Sequence, residues 1–219
     1  MRVILSTFNK GGVGKTTLAV HLAGALAEDP FQRVLLVDCV DQYDSVNFIS
    51  GNSPEGKLKT LNTKYPNVSV VWNPERENLK KVMGQAQYDS VVLDLNSPAK
   101  DTVKAIVNAQ PTGVFLPINR QALALGRLKD TLTLIAAMAD HTGYIIPVVI
   151  VPLGSNLESV NNALEECRDS IGSLAVKLSE PITFDPEHFE NALTNGRFVW
   201  EYQGCEYVKP LLQKALSSI

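Results

Sequence analysis

Lys10-Gly11-Gly12-Val13-Gly14-Lys15-Thr16-Thr17 follows the apolar run Val3-Ile4-Leu5 and opens a stretch, residues 15–27, in which Leu18, Leu22, Ala25 and Leu26 recur near the helical period. Strand, glycine turn, helix is the order in which a helix-covered parallel sheet begins. Glycines at 11, 12 and 14 let backbone N–H groups turn inward and approach an anion closely, and a helix starting near Lys15 adds its positive end at the same point. A turn that binds nothing needs one glycine at most. Three glycines bracketed by Lys10 and Lys15, with no acid between, make a cavity that repels itself until an anion arrives. The run therefore reads as a phosphate loop, with Lys15 on β- and γ-phosphate oxygens, the Thr16 hydroxyl offered to magnesium and Thr17 bonded to a phosphate nearer the sugar. The plain G-x-x-x-x-G-K-[ST] pattern is not met, because Asn9 stands where its first glycine falls and a second lysine follows.

Outward from the loop the alternation continues. Short apolar, β-branched runs at 3–5, 34–37, 68–72, 90–93, 114–118, 144–151 and 181–184 read as strands. Helical patterns at 15–27, 75–86, 101–109, 121–139, 157–171 and 206–218 lie between them. Residues 50–66, rich in Gly, Ser, Asn and Pro, read as a loop region with room for one helical turn. Runs apolar throughout, such as Val34-Leu35-Leu36-Val37, suit central strands covered on both faces. The expected fold is α/β: a doubly wound, mostly parallel sheet with helices on both faces, formed by residues 1–219 as one domain.

Composition narrows the function classes. With 219 residues, 45% hydrophobic and 20% charged, the chain can bury one sizeable core without disulfides or metals. A formal charge of -3 excludes bulk electrostatic coating of nucleic acid, so any DNA contact needs a local basic patch. Cys39, Cys167 and Cys205 are odd in number and widely spaced, suggesting neither a disulfide framework nor a zinc site and fitting a reducing compartment. His21, His141 and His188 lack metal-ligand spacing, and Trp72 and Trp200 read as packing or surface residues. No signal segment precedes Val3, and the stretch 145–153 is too short to span a bilayer.

Two acids end apolar strands directly: Asp38 after residues 34–37 and Asp94 after 91–93. A carboxylate at the end of a buried strand is costly unless a cation or hydrogen-bond donors meet it. Both are therefore candidate magnesium groups, Asp94 through a bound water and Asp38 in the metal's outer shell or positioning water.

Residues 10–17 resemble the deviant Walker A motif of ParA/MinD-type ATPases. Leu35-Leu36-Val37-Asp38-Cys39-Val40-Asp41-Gln42 looks like that family's L-L-x-D-x-D-P-Q motif, and Tyr88-Asp89-Ser90-Val91-Val92-Leu93-Asp94 looks like its Walker B strand. Leu116-Pro117-Ile118 with Ala122-Leu123-Ala124-Leu125-Gly126 resembles its fifth strand and following helix. The resemblance implies ATP and Mg2+ as cofactors, with Lys10 to Thr17 around the phosphates. It implies a homodimer closed by ATP, in which Lys10 reaches the partner's nucleotide like an arginine finger. It also implies slow hydrolysis stimulated by an adaptor protein, ParB-like or specific to a cargo, and residence in the bacterial cytoplasm or on the nucleoid.

Two departures stand out. The family aspartate that positions the attacking water corresponds to Val40, so Asp41, one residue on, is the expected substitute in a shifted loop; the rival expectation is a chain that binds ATP and hydrolyses it very slowly. Relatives often place an adenine-reading asparagine at the position of Val151-Pro152. Candidates for non-specific DNA contact are Arg168, Lys177, Arg197, Lys209 and Lys214, which read equally well as a solvated face. The C-terminal stretch 208–219 is amphipathic, as in the MinD branch, but with two lysines it reads as a packed last helix, so membrane contact is not expected. The leading expectation is a ParA-type ATPase switch that segregates or positions DNA or a large cargo. The alternatives are a hydrolysis-poor, MinD-like module recruiting a partner or membrane, and a metabolic ligase of related fold such as a cobyrinate amidase, for which no substrate-binding constellation is visible.

Overall fold

Val3, Ile4 and Leu5 are buried in β1 (Arg2–Ser6), and the chain then turns through the glycine loop into α1 (Lys15–Leu26). The computed structural model describes every residue except Ser97, Pro98, Ser173 and Phe184, together with all side chains of the remainder but that of Ala122. After α1 come β2 (Val34–Asp38), α2 (Asp44–Ser50), β3 (Thr60–Asn62), β4 (Val68–Trp72), α3 (Leu79–Met83), β5 (Ser90–Asp94) and α4 (Ala99–Ala109). The second half runs β6 (Gly113–Ile118), α5 (Ala122–Gly126), α6 (Leu128–Thr142), β7 (Val148–Pro152), α7 (Leu157–Ile171), β8 (Val176–Leu178), α8 (Pro186–Asn195), a 3-10 turn Val199–Glu201 and α9 (Val208–Leu216).

The strands form one sheet in the order β3-β4-β2-β5-β1-β6-β7-β8. Every pairing is parallel except the edge hairpin of β3 with β4. The period-2 alternation of the pleat sends neighbouring residues to opposite layers. Ile4 and Leu36 join α1, α2, α8 and α9 on one face, while Leu5, Leu35 and Val37 join α3, α4, α6 and α7 on the other. This is the doubly wound arrangement expected from the apolar runs. α1 is buried along residues 18–26, not only on one stripe, because α9 and the 3-10 turn cover the side that would otherwise face water. Val208, Leu212, Ala215 and Leu216 of α9 fill that layer, so the amphipathic face at the C-terminus is spent on the core. No helix among the described residues is long and apolar enough to cross a membrane.

Several expected boundaries move. The helix expected at 75–86 is only α3, because Arg76 adopts φ 53 and the Asn78 side chain caps the helix start by accepting the Lys81 N–H at 3.0 Å. The pattern at 121–139 is two helices, broken at Arg127, and the second runs on to Thr142. The strand expected from 144 begins at Val148, after Gly143 has closed α6 in the left-handed conformation. At 181–184, Phe184 lies outside the described residues, and Ile182 makes only an isolated bridge to Leu153; the edge strand is β8, earlier in the chain. Residues 50–66 contain β3, and α2 and α8 were not expected.

Candidate functional site

The three strands nearest the glycine loop end level with one another. Ser6 of β1 is the register partner of Asp94 in β5, which is in turn the partner of Asp38 in β2. The loop leaves β1 at this edge. Gly12 (φ 71) and Gly14 (φ 97) take left-handed conformations closed to most side chains, and a Cβ on Gly14 would stand 2.8 Å from Leu153 Cδ1. α1 has neither a side-chain N-cap nor an acid in its first turn, which leaves the positive end of the helix to a ligand. Two contacts brace the loop from outside: Asn119 Nδ2 donates to the Gly12 carbonyl at 3.0 Å, and the Ser6 hydroxyl donates to the Lys15 carbonyl at 2.9 Å.

Lys15 is buried, and its ammonium donates to the Lys10 carbonyl at 2.7 Å. Burial lowers its pKa, Asp94 raises it in opposition, and the Lys10 charge lowers it further. Lys10 itself is half-buried and donates to Gln121 Oε1 and, at 3.3 Å, to the Gly11 carbonyl. The loop faces a cleft of about 850 Å³. Val40, Gln42 and Asp44 line one side of it. Asn119, Arg120 and Gln121 line the other, together with Leu153, Gly154 and Pro186.

Asp38 and Asp94 are fully buried below the loop. Asp38 Oδ1 accepts the Val40 N–H at 2.9 Å and Oδ2 accepts the Val46 N–H at 3.0 Å. Burial and the neighbouring Asp94 push the Asp38 carboxyl up to about 7, against those amides. Asp94 Oδ2 accepts the Ser45 hydroxyl at 2.6 Å, whereas Oδ1 has no hydrogen-bond partner among the described residues. Burial raises the Asp94 carboxyl, opposed by the hydroxyls of Ser45 and Thr16 and by Lys15. A buried carboxylate oxygen without a donor, beside a threonine hydroxyl and a phosphate-facing loop, fits a hard divalent cation held by oxygen ligands. Of the three expected metal groups, Thr16 and Asp94 are brought together; both oxygens of Asp38 already hold the loop after β2.

Asp41 is exposed and is not among the described residues lining the cleft, which Asp44 lines instead. Asn119, Gln121 and Asp44 carry no pattern of their own in the sequence, and topology alone brings them to the loop. The five basic candidates for DNA contact are mostly neutralised. Arg168 pairs with Glu165 at 2.6 Å, Arg197 with Glu201 at 3.4 Å and Lys209 with Glu28 at 2.9 Å. Lys214 pairs with Glu180, and Lys177 donates to the Ser218 carbonyl.

The chain belongs to the CobQ/CobB/MinD/ParA nucleotide binding domain family, which matches residues 4–195. It is similar to the chromosome partitioning protein ParA of Caulobacter vibrioides, with 30% identity over 162 residues, 74% of this chain and 51% of that protein. The chain thus spans about half the length of the curated relatives it matches. In fold it is similar to McdA of Cyanothece, solved as an ATP complex, with TM-score 0.78 and 15% identity, covering 100% of this chain and 96% of that one. The septum site-determining protein MinD of Pyrococcus horikoshii, complexed with Mg-ADP, gives TM-score 0.70 and 19% identity, covering 99% and 95%.

Proposed function

We propose that this chain is an ATP-dependent dimeric switch of ParA type, which hydrolyses ATP to ADP and phosphate to segregate or position DNA or a large cargo. The observation that carries the reading is the pair of lysines at the loop. Lys15 is buried and already aimed along the loop, while Lys10 is half-buried at its rim, where a second copy could approach. ATP in the McdA structure and Mg-ADP in the MinD structure support a nucleotide here. The triphosphate would lie on the amides of residues 11–17, with its base against Leu153 and Pro186. Thr16 and Asp94 would hold Mg2+, Asp94 through water. When bound, the metal neutralises charge on the β- and γ-phosphate oxygens. Lys10 would reach the phosphates of the opposite copy, and an adaptor protein would stimulate turnover and connect the dimer to its cargo.

The ion pairs along Arg168, Arg197, Lys209 and Lys214 favour attachment through that adaptor over a free basic face on DNA. A second reading, a hydrolysis-poor binding module, is favoured by the buried apolar Val40 at the family's aspartate position. Fluorescent-ATP binding with and without Mg2+, together with light-scattering mass in ATP and in ADP, tests the first. Mg2+-dependent binding with doubled mass in ATP is expected; absence of nucleotide binding would remove the proposal. Single-turnover hydrolysis separates the two readings.

A further inference from the structure

We infer that Asp44 holds the attacking water in this chain, in place of the carboxylate that Val40 lacks. The inference rests on the ATPase reading above. Three groups after β2 face the cleft: Val40, which cannot orient water, Gln42 and Asp44. Asp44 is the carboxylate among them. Its side chain makes no hydrogen bond or ion pair among the described residues, whereas the other acids of the site are engaged. It is also close enough for its charge to raise the carboxyl of Asp94.

The segment that presents Asp44 is fixed on every side. Trp72 Nε1 donates to the Val40 carbonyl at 2.8 Å, and the Tyr43 ring meets Trp72 edge-on at 5.7 Å. Tyr43 has φ 47, a conformation unfavourable for a bulky residue that is held by its surroundings. Directly after Asp44, the Ser45 hydroxyl is bonded to Asp94 and the Val46 amide to Asp38. These contacts set the first turn of α2 against the candidate metal group, with Asp44 at the turn's cleft side. Asp41, in the same segment, is exposed and is not among the described residues lining the cleft.

In the step itself, the water oxygen bonds to the γ-phosphorus as the bond from that phosphorus to the β–γ bridging oxygen breaks. The bridging oxygen leaves with ADP, and both water hydrogens remain with the released dihydrogen phosphate. The Asp44 carboxylate accepts a hydrogen bond from the water and aligns it, so that proton transfer closes within the products without an external acid.

The test compares the parent with Asp44→Asn, Asp44→Ser and Asp41→Asn, measuring ATP affinity, the Mg2+ half-saturation point and single-turnover hydrolysis over hours. Serine also suits a helix start, so loss of the fold in one variant leaves the other to report. Hydrolysis is expected to fall about 100-fold in both Asp44 variants, with ATP affinity and Mg2+ dependence changed less than about threefold, and to stay within about twofold for Asp41→Asn. Turnover at the parent's rate in the Asp44 variants overturns the inference. So does a raised Mg2+ requirement with full turnover at saturating Mg2+, which would make Asp44 a metal-shell group. A parent that binds MgATP but releases no phosphate also overturns it. A parent that binds no nucleotide instead defeats the ATPase reading.

Discussion

The ammonium of Lys15 donates to the main-chain carbonyl of Lys10 at 2.7 Å, so the second loop lysine is held by the residue that carries the first. The two lysines therefore separate by experiment. Lys15→Met is expected to weaken ATP binding about 100-fold, ~3 kcal/mol, through loss of a buried charge-assisted contact. Lys10→Met should leave binding by the dilute chain within about threefold while abolishing ATP-dependent doubling of mass, since among the described residues the Lys10 ammonium hydrogen-bonds to Gln121 and Gly11. Titration with fluorescent ATP and light scattering read the two effects.

Asp94→Asn opposes function to stability. Asp94 is buried beside Asp38, and its Oδ1 has no hydrogen-bond partner among the described residues. Removing that charge is expected to leave the ligand-free protein as stable as the parent or up to ~1 kcal/mol more stable. The parent is expected to gain thermal stability from MgATP, and the same variant to lose that gain. Melting curves with ATP and EDTA, then with ATP and Mg2+, show both.

His21 predicts an acid-side loss of stability. Its Nε2 accepts the Val199 N–H at 2.9 Å, so its proton sits on Nδ1, donated to the Thr17 carbonyl at 2.6 Å. Burial lowers its pKa from 6.5 to about 4. Between those values the unfolded chain takes up a proton that the folded chain refuses, so the contribution is complete above pH 6.5 and lost as pH falls toward 4. The loss should reach ~3 kcal/mol. His21→Gln, which keeps one donor and one acceptor, should flatten urea-unfolding stability over that interval; an unchanged slope would refute the assignment.

Gly24→Ala should destabilise by overpacking. A Cβ there would stand 2.4 Å from Phe198 Cζ. Phe198 cannot retreat freely, being stacked on Tyr65 at 4.2 Å and on Trp200 at 4.7 Å. A loss of ~1–3 kcal/mol is expected in urea unfolding, with nucleotide affinity retained.

The fold was legible where burial is complete. Val34-Leu35-Leu36-Val37 and Val91-Val92-Leu93 have no polar face to confuse with a helix, and the sheet places them centrally. Thr60-Leu61-Asn62 was not legible, because a three-residue, largely exposed edge strand needs no apolar run and takes its order from β4. α8 carries a readable signature, Asp185 as cap before Pro186 and Gly196 at the far end, yet the apolar residues just before it read more strongly as strand. At the site, the glycines and lysines declare their chemistry by spacing. Asp44 does not, since its access to the cleft depends on a left-handed Tyr43 and on Ser45 and Val46 bonding acids far away in sequence.

Ser6, Asp94 and Asp38 occupy consecutive rungs of the backbone ladder, neighbouring strands standing ~4.8 Å apart. Their mutual spacing is consequently dictated by main-chain pairing and is insensitive to the length or composition of the connection leaving each strand. Exchanges in the connections after β2 and β6 would therefore change the side chains that line the cleft while leaving the strand ends beneath the loop in register.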